Sequence, residues 1–363
     1  MRIVTKYLLK ELMGPFLFGF LAFSGMFLGF SLVNVIQWAE SYQVPFFTLL
    51  KLWVYTVPEN MSYGIYIGML LSTLLGLGRM TSHSETIAMQ AGGVSFLRIA
   101  APVLSIGLVL TAATFFLNES ITPAAKLAYR EERNYIRYKE PKGVVEEYFY
   151  AERGKEGQKR LVYAEAYNAA EEKFTNVMIQ ELEHDRLVRT LKSEELLWGN
   201  EGWYFREGEI FTYREDAVIP IYVTEGYNPT GFAKTPEQVI TVARKPEEMS
   251  WWELNWYLKN TELSEVKRRQ HEVQLHLKTA FPFACFVFAL LGTPLALQSQ
   301  RRTSSAGLGI CLINVIFYYL LMALGTFLGQ SGATSPWVGA WLQNIVIGGY
   351  GTYLFIRKAL YLN

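Results

Sequence analysis

Long uncharged runs dominate both ends of this 363-residue chain. A membrane-spanning helix needs about 20 mostly apolar residues, and each run supplies that length. The shorter runs are residues 12–39, 60–78, 99–117 and 279–300. The longest run, residues 303–356, has room for two helices, and the Gly- and Ser-containing segment 329–336 indicates the turn between them. We therefore predict an α-helical membrane protein with six transmembrane helices.

The middle of the chain has the opposite character. Residues 119–265 contain 28 of the 33 Asp and Glu residues. The remaining acids are Glu11, Glu40, Glu59, Glu85 and Glu272. This contrast predicts three helices on each side of a polar insert. The predicted boundaries are 1–117 for the first three spans, 118–275 for the insert with flanking helices, and 276–363 for the last three spans.

The insert has a β pattern. Between residues 144 and 244, short runs alternate polar and apolar side chains, and Gly, Asn or Asp separates them. Spacing of about 8–12 residues between such turns predicts an all-β sandwich or roll. An open edge strand of such a domain can pair with a partner's strand. A self-contained domain with protected edges is the alternative.

Basic residues predict the orientation, because cytoplasmic loops of membrane proteins carry an excess of Lys and Arg. The predicted spans have two sets of ends, one on each side of the membrane, and the short loops on one side carry only Lys51 as a basic residue. The bases at the other ends are Arg2, Lys6, Lys10, Arg79, Arg98, Arg301, Arg302, Arg357 and Lys358. Both termini are therefore expected in the cytoplasm and the insert across the membrane. Residues 2–11 suit a short interfacial helix or a simple basic flank of the first span, and both remain open.

Several classes of function are disfavoured. A net charge of +1 gives no sign of nucleic-acid binding. No phosphate-binding loop is present, so ATP hydrolysis by this chain is not expected. His271 and His276 are five residues apart, whereas zinc ligands on one helix face need four, and Cys285 and Cys311 both lie in apolar segments. We expect no catalytic residues, no metal and no cofactor bound by this chain.

One cytoplasmic loop carries a specific pattern. Ser82 and Glu85 fit a capping box, and Gly92-Gly93 fits a helix stop, so a short helix is predicted at about 82–93. Its exposed face would contain Glu85, Ile87, Ala88 and Ala91. Such a helix can dock in a groove of a cytosolic protein, or Glu85 merely caps it.

At these residues the chain resembles the LptF/LptG family, the permease subunits of the lipopolysaccharide export ABC transporter. The resemblance covers essentially the whole chain. It rests on residues 74–104 (LLGLGRMTSHSETIAMQAGGVSFLRIAAPVL), 118–123, 249–258 (MSWWELNWYL), 276–296 (HLKTAFPFACFVFALLGTPLA) and Arg301-Arg302. It implies six helices with an inserted periplasmic β-jellyroll, in the bacterial inner membrane.

The resemblance also implies function and partners. It implies extraction of lipopolysaccharide, driven by a cytosolic ATPase dimer that uses ATP and Mg, together with a second permease subunit and periplasmic jellyroll bridge proteins. The family's coupling-helix glutamate falls on Glu85. The expected ATPase-coupling residues are Arg79, Ser82, Glu85, Ile87, Ala88 and Ala91.

A lipid with several acyl chains needs an apolar cavity open to the bilayer. The candidate residues are Phe27, Phe30, Asn34, Lys51, Phe317, Tyr318 and Leu321, although ordinary lipid-facing or packed aromatics fit the same pattern. Some family members have lysines near the end of span one and the start of span two, where this chain has only Lys51 nearby. The partner subunit, a less phosphorylated lipid, or divalent cations at Glu40 and Glu59 would each account for that difference.

The alternative function is a membrane scaffold that presents the β domain to protein partners and transports no lipid. A membrane-embedded hydrolase would need a cluster of ionisable residues within the spans, and the spans contain almost none.

Overall fold

The computed structural model describes residues 2–138, 144–153, 158–184, 186–199, 202–214, 217–223, 228–230, 232, 234–242, 244–261, 263–297 and 304–361. Arg301 and Arg302, which belong to the predicted basic ends, lie outside the described residues. The chain forms two compact units: Met1–Lys126 together with Arg269–Asn363, and Leu127–Arg268.

The first unit is helical. The helices that lie wholly within it are α1 (Arg2–Glu40), α2 (Phe46–Tyr55), α3 (Val57–Ser72), α4 (Gly78–Ser82), α5 (Glu85–Ala91), α6 (Phe96–Phe116), α11 (Ala284–Leu297), α12 (Ser304–Ser331) and α13 (Pro336–Tyr361). Helix α7 (Thr122–Tyr138) begins in this unit and continues into the second, and α10 (Glu265–Ala280) begins in the second unit and ends in this one. A π-helical turn, Thr73–Leu77, joins α3 to α4, and another, Leu117–Ile121, joins α6 to α7. The predicted turn at 329–336 separates α12 from α13 as expected.

Among the described residues, four helical segments are long and apolar enough to cross a membrane: Ile3–Glu40, Val57–Ser82, Phe96–Ile136 and Gly307–Ser331. The pair Glu265–Ala280 and Ala284–Leu297, bent by 52°, makes a fifth if it is one span. The sixth predicted span falls on α13, which is 26 residues long but less apolar. Residues 2–11 form no separate helix, because α1 is continuous from Arg2 to Glu40.

The bend between α10 and α11 has a local cause. Pro282 has no N–H to donate to an earlier carbonyl of the helix. The side-chain amide of Asn344 on α13 donates to the carbonyl of Ala280 at 2.6 Å, and Asn344 accepts from the hydroxyl of Tyr318 at 3.2 Å. Since an unsatisfied carbonyl is costly in an apolar surrounding, α13 stabilises this break.

A seam of small residues joins α1 to α3. On α3 and the turn that follows it, the seam consists of Asn60, Gly64, Gly68, Ser72 and Gly76, which are four residues apart and share one helix face. The Asn60 amide donates to the Ser31 hydroxyl at 2.8 Å, and the Ser72 hydroxyl donates to the carbonyl of Leu12 at 2.7 Å. Small residues allow two backbones to approach closely, and here they hold α1 along the whole of α3.

The buried core of this unit lies around Tyr66 on α3, Phe288 on α11 and Tyr318 on α12, all fully buried. The hydroxyls of Tyr66 and Tyr319 are 2.6 Å apart. A second buried group joins Leu8 and Leu12 of α1 to Met80 and to Phe96 at the start of α6. Helix α1 is therefore fixed at its N-terminal end as well as along the seam.

The second unit contains an antiparallel sheet of eight strands: β1 (Val144–Arg153), β2 (Gln158–Asn168), β3 (Lys173–Glu183), β4 (Arg186–Gly199), β5 (Gly202–Phe205), β6 (Gly208–Arg214), β7 (Ala217–Val223) and β8 (Asn228–Pro229). The strand order is β1-β2-β3-β4-β5-β8, while β6 pairs with β4 and β7. Helices α8 (Pro236–Val242) and α9 (Trp251–Asn260) follow. The sequence pattern thus correctly predicted β structure in the middle of the chain, and the strands pair in antiparallel fashion.

One face of the sheet is buried. On β2, Val162 and Ala164 are buried while Tyr163 between them is exposed, which is the alternation of a strand with one covered face. Trp203 lies at the centre of an aromatic group with Tyr167, Phe174 and Phe232. Its indole N–H donates to the carbonyl of Lys234 at 2.5 Å.

The second unit also contains an ion pair whose acid is buried. The guanidinium of Arg130 on α7 is 2.6 Å from the carboxylate of Glu248. Burial raises the pKa of Glu248, although Arg130 acts in the opposite direction. The backbone N–H of Lys245 also donates to this carboxylate, at 3.0 Å. The two contacts offset part of the cost of burying the charge.

Gly64→Ala tests the seam. A Cβ at Gly64 would lie 2.8 Å from the carbonyl oxygen of Phe20 and would meet the hydroxyl of Ser24. We expect a loss of about 1–3 kcal/mol, measured as a lower melting temperature of the purified protein in detergent. Gly25→Ala on α1 is the control, because no heavy atom lies within 4 Å of its added Cβ. Equal melting temperatures for the two variants would show that the seam is not close-packed.

Trp203→Ala tests the core of the sheet. Removing this buried side chain should cost about 3–5 kcal/mol and should speed amide hydrogen exchange in β3 and β4. Phe149→Ala on β1 is the control, because that ring is 57% exposed. Unchanged exchange in the Trp203 variant would contradict the assigned core.

Candidate functional site: the coupling segment

We call residues 78–93 the coupling segment; it contains α4, a two-residue turn and α5, and it connects α3 to α6. Helix α4 continues α3 through the π-helical turn, so Ser82 still lies inside a helix. Its hydroxyl donates back to the carbonyl of Arg79 at 2.8 Å. The chain then reverses at His83 and Ser84, and Ser84 adopts a left-handed conformation with φ 62°.

The predicted capping box is therefore wrong. Helix α5 begins at Glu85, its N-cap is Ser84, and no side chain caps it. Ser82 cannot reach the first turn of α5 because its hydroxyl serves α4. The predicted stop is confirmed: α5 ends at Ala91, with Gly92 at the C-cap and Gly93 at φ 84°. The helix is seven residues long, shorter than the predicted 82–93.

One face of α5 is anchored. Thr86 is buried, and its hydroxyl donates to the hydroxyl of Thr81 at 3.3 Å. The opposite face contains Ile87, Ala88 and Ala91, which are all exposed. Ile87 and Ala91 are four residues apart and lie on one side of the helix. A small apolar surface is thus presented beside an acidic residue.

Glu85 borders this surface. Its side chain is 35% exposed, and one carboxylate oxygen accepts a hydrogen bond from the hydroxyl of Tyr7 at 2.8 Å. The Nδ1 of His83 lies 3.9 Å from the other oxygen. Tyr7 belongs to α1, so this bond ties the acid of the coupling segment to the first span.

An ion pair makes a second link between α1 and the coupling segment, one helix turn further along α1. Arg79 pairs with Glu11, which follows Tyr7 by four residues and so lies on the same face of α1. With Leu8 and Leu12 buried beside Met80, the N-terminal end of α1 and the coupling segment form one packed body. The six predicted coupling residues therefore all lie in this segment, with Arg79 and Ser82 in α4 and the others in α5.

Sequence reasoning missed Tyr7 and Glu11 as the anchors. The signal that was available is their spacing of four residues together with the isolation of Glu11 as an acid in a basic flank. The left-handed turn at Ser84 decides which residues of the coupling segment face α1. That turn has no sequence signature.

The seven cavity candidates fall into two groups. Phe30, Asn34, Lys51 and Phe317 are exposed, and the Lys51 ammonium is 6.0 Å from the centre of the Tyr55 ring. Phe27, Tyr318 and Leu321 belong to the core around Tyr66. Phe27 is in ring contact with Tyr63 at 5.2 Å between centroids, and Tyr318 is fully buried. The first group is thus open to the surroundings of the helices, and the second belongs to the packed interior.

A lysine does lie near the start of α3, the region in which some family members have lysines and this chain has none nearby in sequence except Lys51. Lys126 at the start of α7 is 2.9 Å from the carboxylate of Glu59, which also accepts from the hydroxyl of Tyr63 at 3.1 Å. Glu59 is therefore already paired, which disfavours a divalent cation there. Among the described residues, no group of three or more His, Cys, Asp or Glu side chains is arranged to hold a metal ion.

These observations define a helical membrane protein with an antiparallel sheet inserted between two groups of helices and a short exposed helix between adjacent spans. The chain belongs to the family described as lipopolysaccharide export system permease LptF/LptG, which matches residues 6–357. It is similar to the lipopolysaccharide export system permease protein LptG of Escherichia coli strain K12, and to that of E. coli O6:H1 strain CFT073. Each is 22% identical over 313 residues, covering 84% of this chain and 84% of the relative.

Tyr7→Phe tests the anchor of Glu85. Losing the hydroxyl should leave the melting temperature nearly unchanged, because an exposed hydrogen bond contributes only about 1 kcal/mol. Amide hydrogen exchange in residues 85–91 should become faster, and adding Glu11→Gln should increase it further. Tyr350→Phe, at an exposed tyrosine of α13, is the control. Identical exchange in all variants would show that α1 does not hold the coupling segment.

Proposed function

We propose that this chain is a non-catalytic permease subunit that extracts lipopolysaccharide from the inner membrane, driven by ATP hydrolysis in a separate cytosolic subunit. The observation that supports this most is the coupling segment: a partly exposed acid and an apolar surface on a short helix anchored to α1. The family match supplies the substrate class.

The proposed topology has six spans, with α13 as the last. The basic ends face the cytoplasm, as do both termini, and the sheet unit lies in the periplasm. The sheet unit is proposed to be jellyroll-like and to pass the lipid to periplasmic jellyroll bridge proteins. A bridge protein could add a strand at the edge of the sheet formed by β1, because β1 pairs only with β2 among the described strands.

Coupling is proposed to act through charge and shape together. Glu85 meets a basic site on the ATPase, while Ile87, Ala88 and Ala91 fill a shallow groove. Apolar contact at the centre and charge at the side is the usual arrangement of a protein interface. A nucleotide-driven motion reaches α3, α6 and, through Tyr7 and Glu11, α1. For work to be done, the ATPase must bind the segment with different affinity in its open and closed states.

The lipid path is proposed along the exposed group Phe30, Asn34, Lys51 and Phe317, with Phe27, Tyr318 and Leu321 supporting it from behind. A second permease subunit, a paralogue or a second copy, closes the cavity from the other side. The lipid phosphates are then met by the partner or by Lys51, since Glu59 already holds Lys126.

The alternative function is a scaffold for protein partners, and the open edge of β1 offers them a surface. A transport assay in proteoliposomes distinguishes the two functions. With the ATPase, a partner permease, ATP and Mg, a transporter releases lipopolysaccharide to an added periplasmic acceptor. ATP-dependent release that stops without Mg supports the permease. No release with the full set of partners, when the ATPase is bound and active, supports the scaffold.

Glu85→Lys tests the coupling role. Reversing the charge should reduce co-purification of the ATPase and lipid release by at least about tenfold, since an interfacial charge pair contributes roughly 1.5 kcal/mol or more. The control is Glu207→Lys, at an exposed acid between β5 and β6. Both variants should insert and elute as the wild type does. Wild-type release by the Glu85 variant would refute the role.

A further inference from the structure

A groove runs between α1 and α6, and none of the residues of the proposed lipid path lines it. It encloses about 690 Å³. Val4, Thr5 and Leu9 form one wall, and α6 forms the other through Arg98, Pro102 and Val109, with further lining by Val94, Ala101, Ser105, Ile106 and Leu110. Most of these side chains are apolar, and a volume of several hundred Å³ is typical of a site for a small molecule.

The groove has one polar end. Arg98 is exposed, and within the described part of the chain no carboxylate pairs with it. Pro102, four residues later, has no N–H to donate to the carbonyl of Arg98. The end with Arg98 therefore presents a positive charge, whereas the end with Val109 and Leu110 is apolar.

The N-terminal part of α1, which forms one wall of the groove, is basic. Lys6 and Lys10 are exposed on the same end of α1, and Glu11 is engaged by Arg79. An unpaired cation beside an apolar groove in a membrane protein favours a ligand with an anionic head and an apolar tail.

The length of the groove matches one leaflet. From Arg98 to Val109 along α6 the distance is about 16 Å at 1.5 Å per residue. Half the hydrocarbon core of a bilayer is about 15 Å. Arg98 also ends the uncharged run 99–117, so the guanidinium lies at the level of lipid head groups when α6 spans the membrane.

We propose that this groove is a binding site for one anionic glycerophospholipid of the leaflet on the coupling-segment side. The Arg98 guanidinium holds the phosphate, and an acyl chain fills the groove between α1 and α6. The lipid then fills the space between the N-terminal end of α1 and α6, beside the anchor formed by Tyr7 and Glu11. The proposal stands whether or not this chain transports lipopolysaccharide.

The test is native mass spectrometry of the full-length purified protein titrated with palmitoyl-oleoyl phosphatidylglycerol. Phosphatidylcholine with the same acyl chains is the comparison lipid. We expect one phosphatidylglycerol to bind at least about tenfold more tightly than phosphatidylcholine. Both lipids have a phosphate, but the choline ammonium cancels the net charge of phosphatidylcholine and would be repelled by Arg98. Arg98→Ala should abolish the preference, and Arg98→Lys should retain part of it.

The second part of the test fills the groove with a larger side chain. Ala101→Phe should prevent binding of both lipids at this site, whereas Leu108→Phe, at an exposed position of α6 outside the lining, should not. Arg357→Ala, at another exposed basic residue, should retain the wild-type preference. If Ala101→Phe does not fold, the Arg98 variants alone decide.

Three results would overturn the proposal. One is a wild-type preference for phosphatidylglycerol in Arg98→Ala, or wild-type lipid binding by a folded Ala101→Phe. Another is an equal loss of preference in Arg357→Ala, which would show a diffuse surface effect. The third is efficient cross-linking of an Ala101→Cys variant to another protein chain in membranes, which would show that protein occupies the groove.

Discussion

The close contact between α1 and α3 is the constraint on which the rest of the helical unit depends. In an apolar surrounding, no hydrophobic gain draws two helices together, so close backbone approach and a few hydrogen bonds must do so. Gly64, Gly68 and Gly76 permit that approach, and Asn60 and Ser72 add the bonds to α1. Because the seam holds α1 in register, Tyr7 and Glu11 arrive at the coupling segment. The candidate site is therefore a consequence of the seam.

Charge distribution made the broad architecture predictable. A run of about 20 uncharged residues is compatible with few structures besides a membrane-spanning or fully buried helix. Strict alternation of polar and apolar residues is compatible with few structures besides a strand. Helical continuity was harder to predict. Residues 2–11 continue into α1 although Gly14 and Pro15 follow them, and α3 runs into α4 through a π-helical turn that contains Gly76. The bend at Phe281–Phe283 depends on Asn344, which is 64 residues from Ala280 in sequence.

The site was predictable in part for similar reasons. Glu85 was isolated by its charge, and Gly92-Gly93 has the conformational freedom that a helix stop needs, as the φ of Gly93 shows. The partners of Glu85 and Glu59 were not predictable. Tyr7 and Lys126 are each more than 60 residues away from the acids they contact. Only the antiparallel contact of α1 with α3, and the course of α7 past α3, bring these side chains together.

The central claim is that α1 and α3 move as one body when the ATPase drives the coupling segment. A Cβ on Gly19 would lie 3.3 Å from the Cβ of Leu71, near the separation of about 3.5–4.5 Å found in disulfides. The double variant Gly19→Cys and Leu71→Cys therefore allows the seam to be locked and unlocked. The measurement is ATP-dependent lipopolysaccharide release from proteoliposomes before and after oxidation. The account predicts release within about twofold of the reduced protein, whereas release that oxidation abolishes and a reductant restores would contradict it.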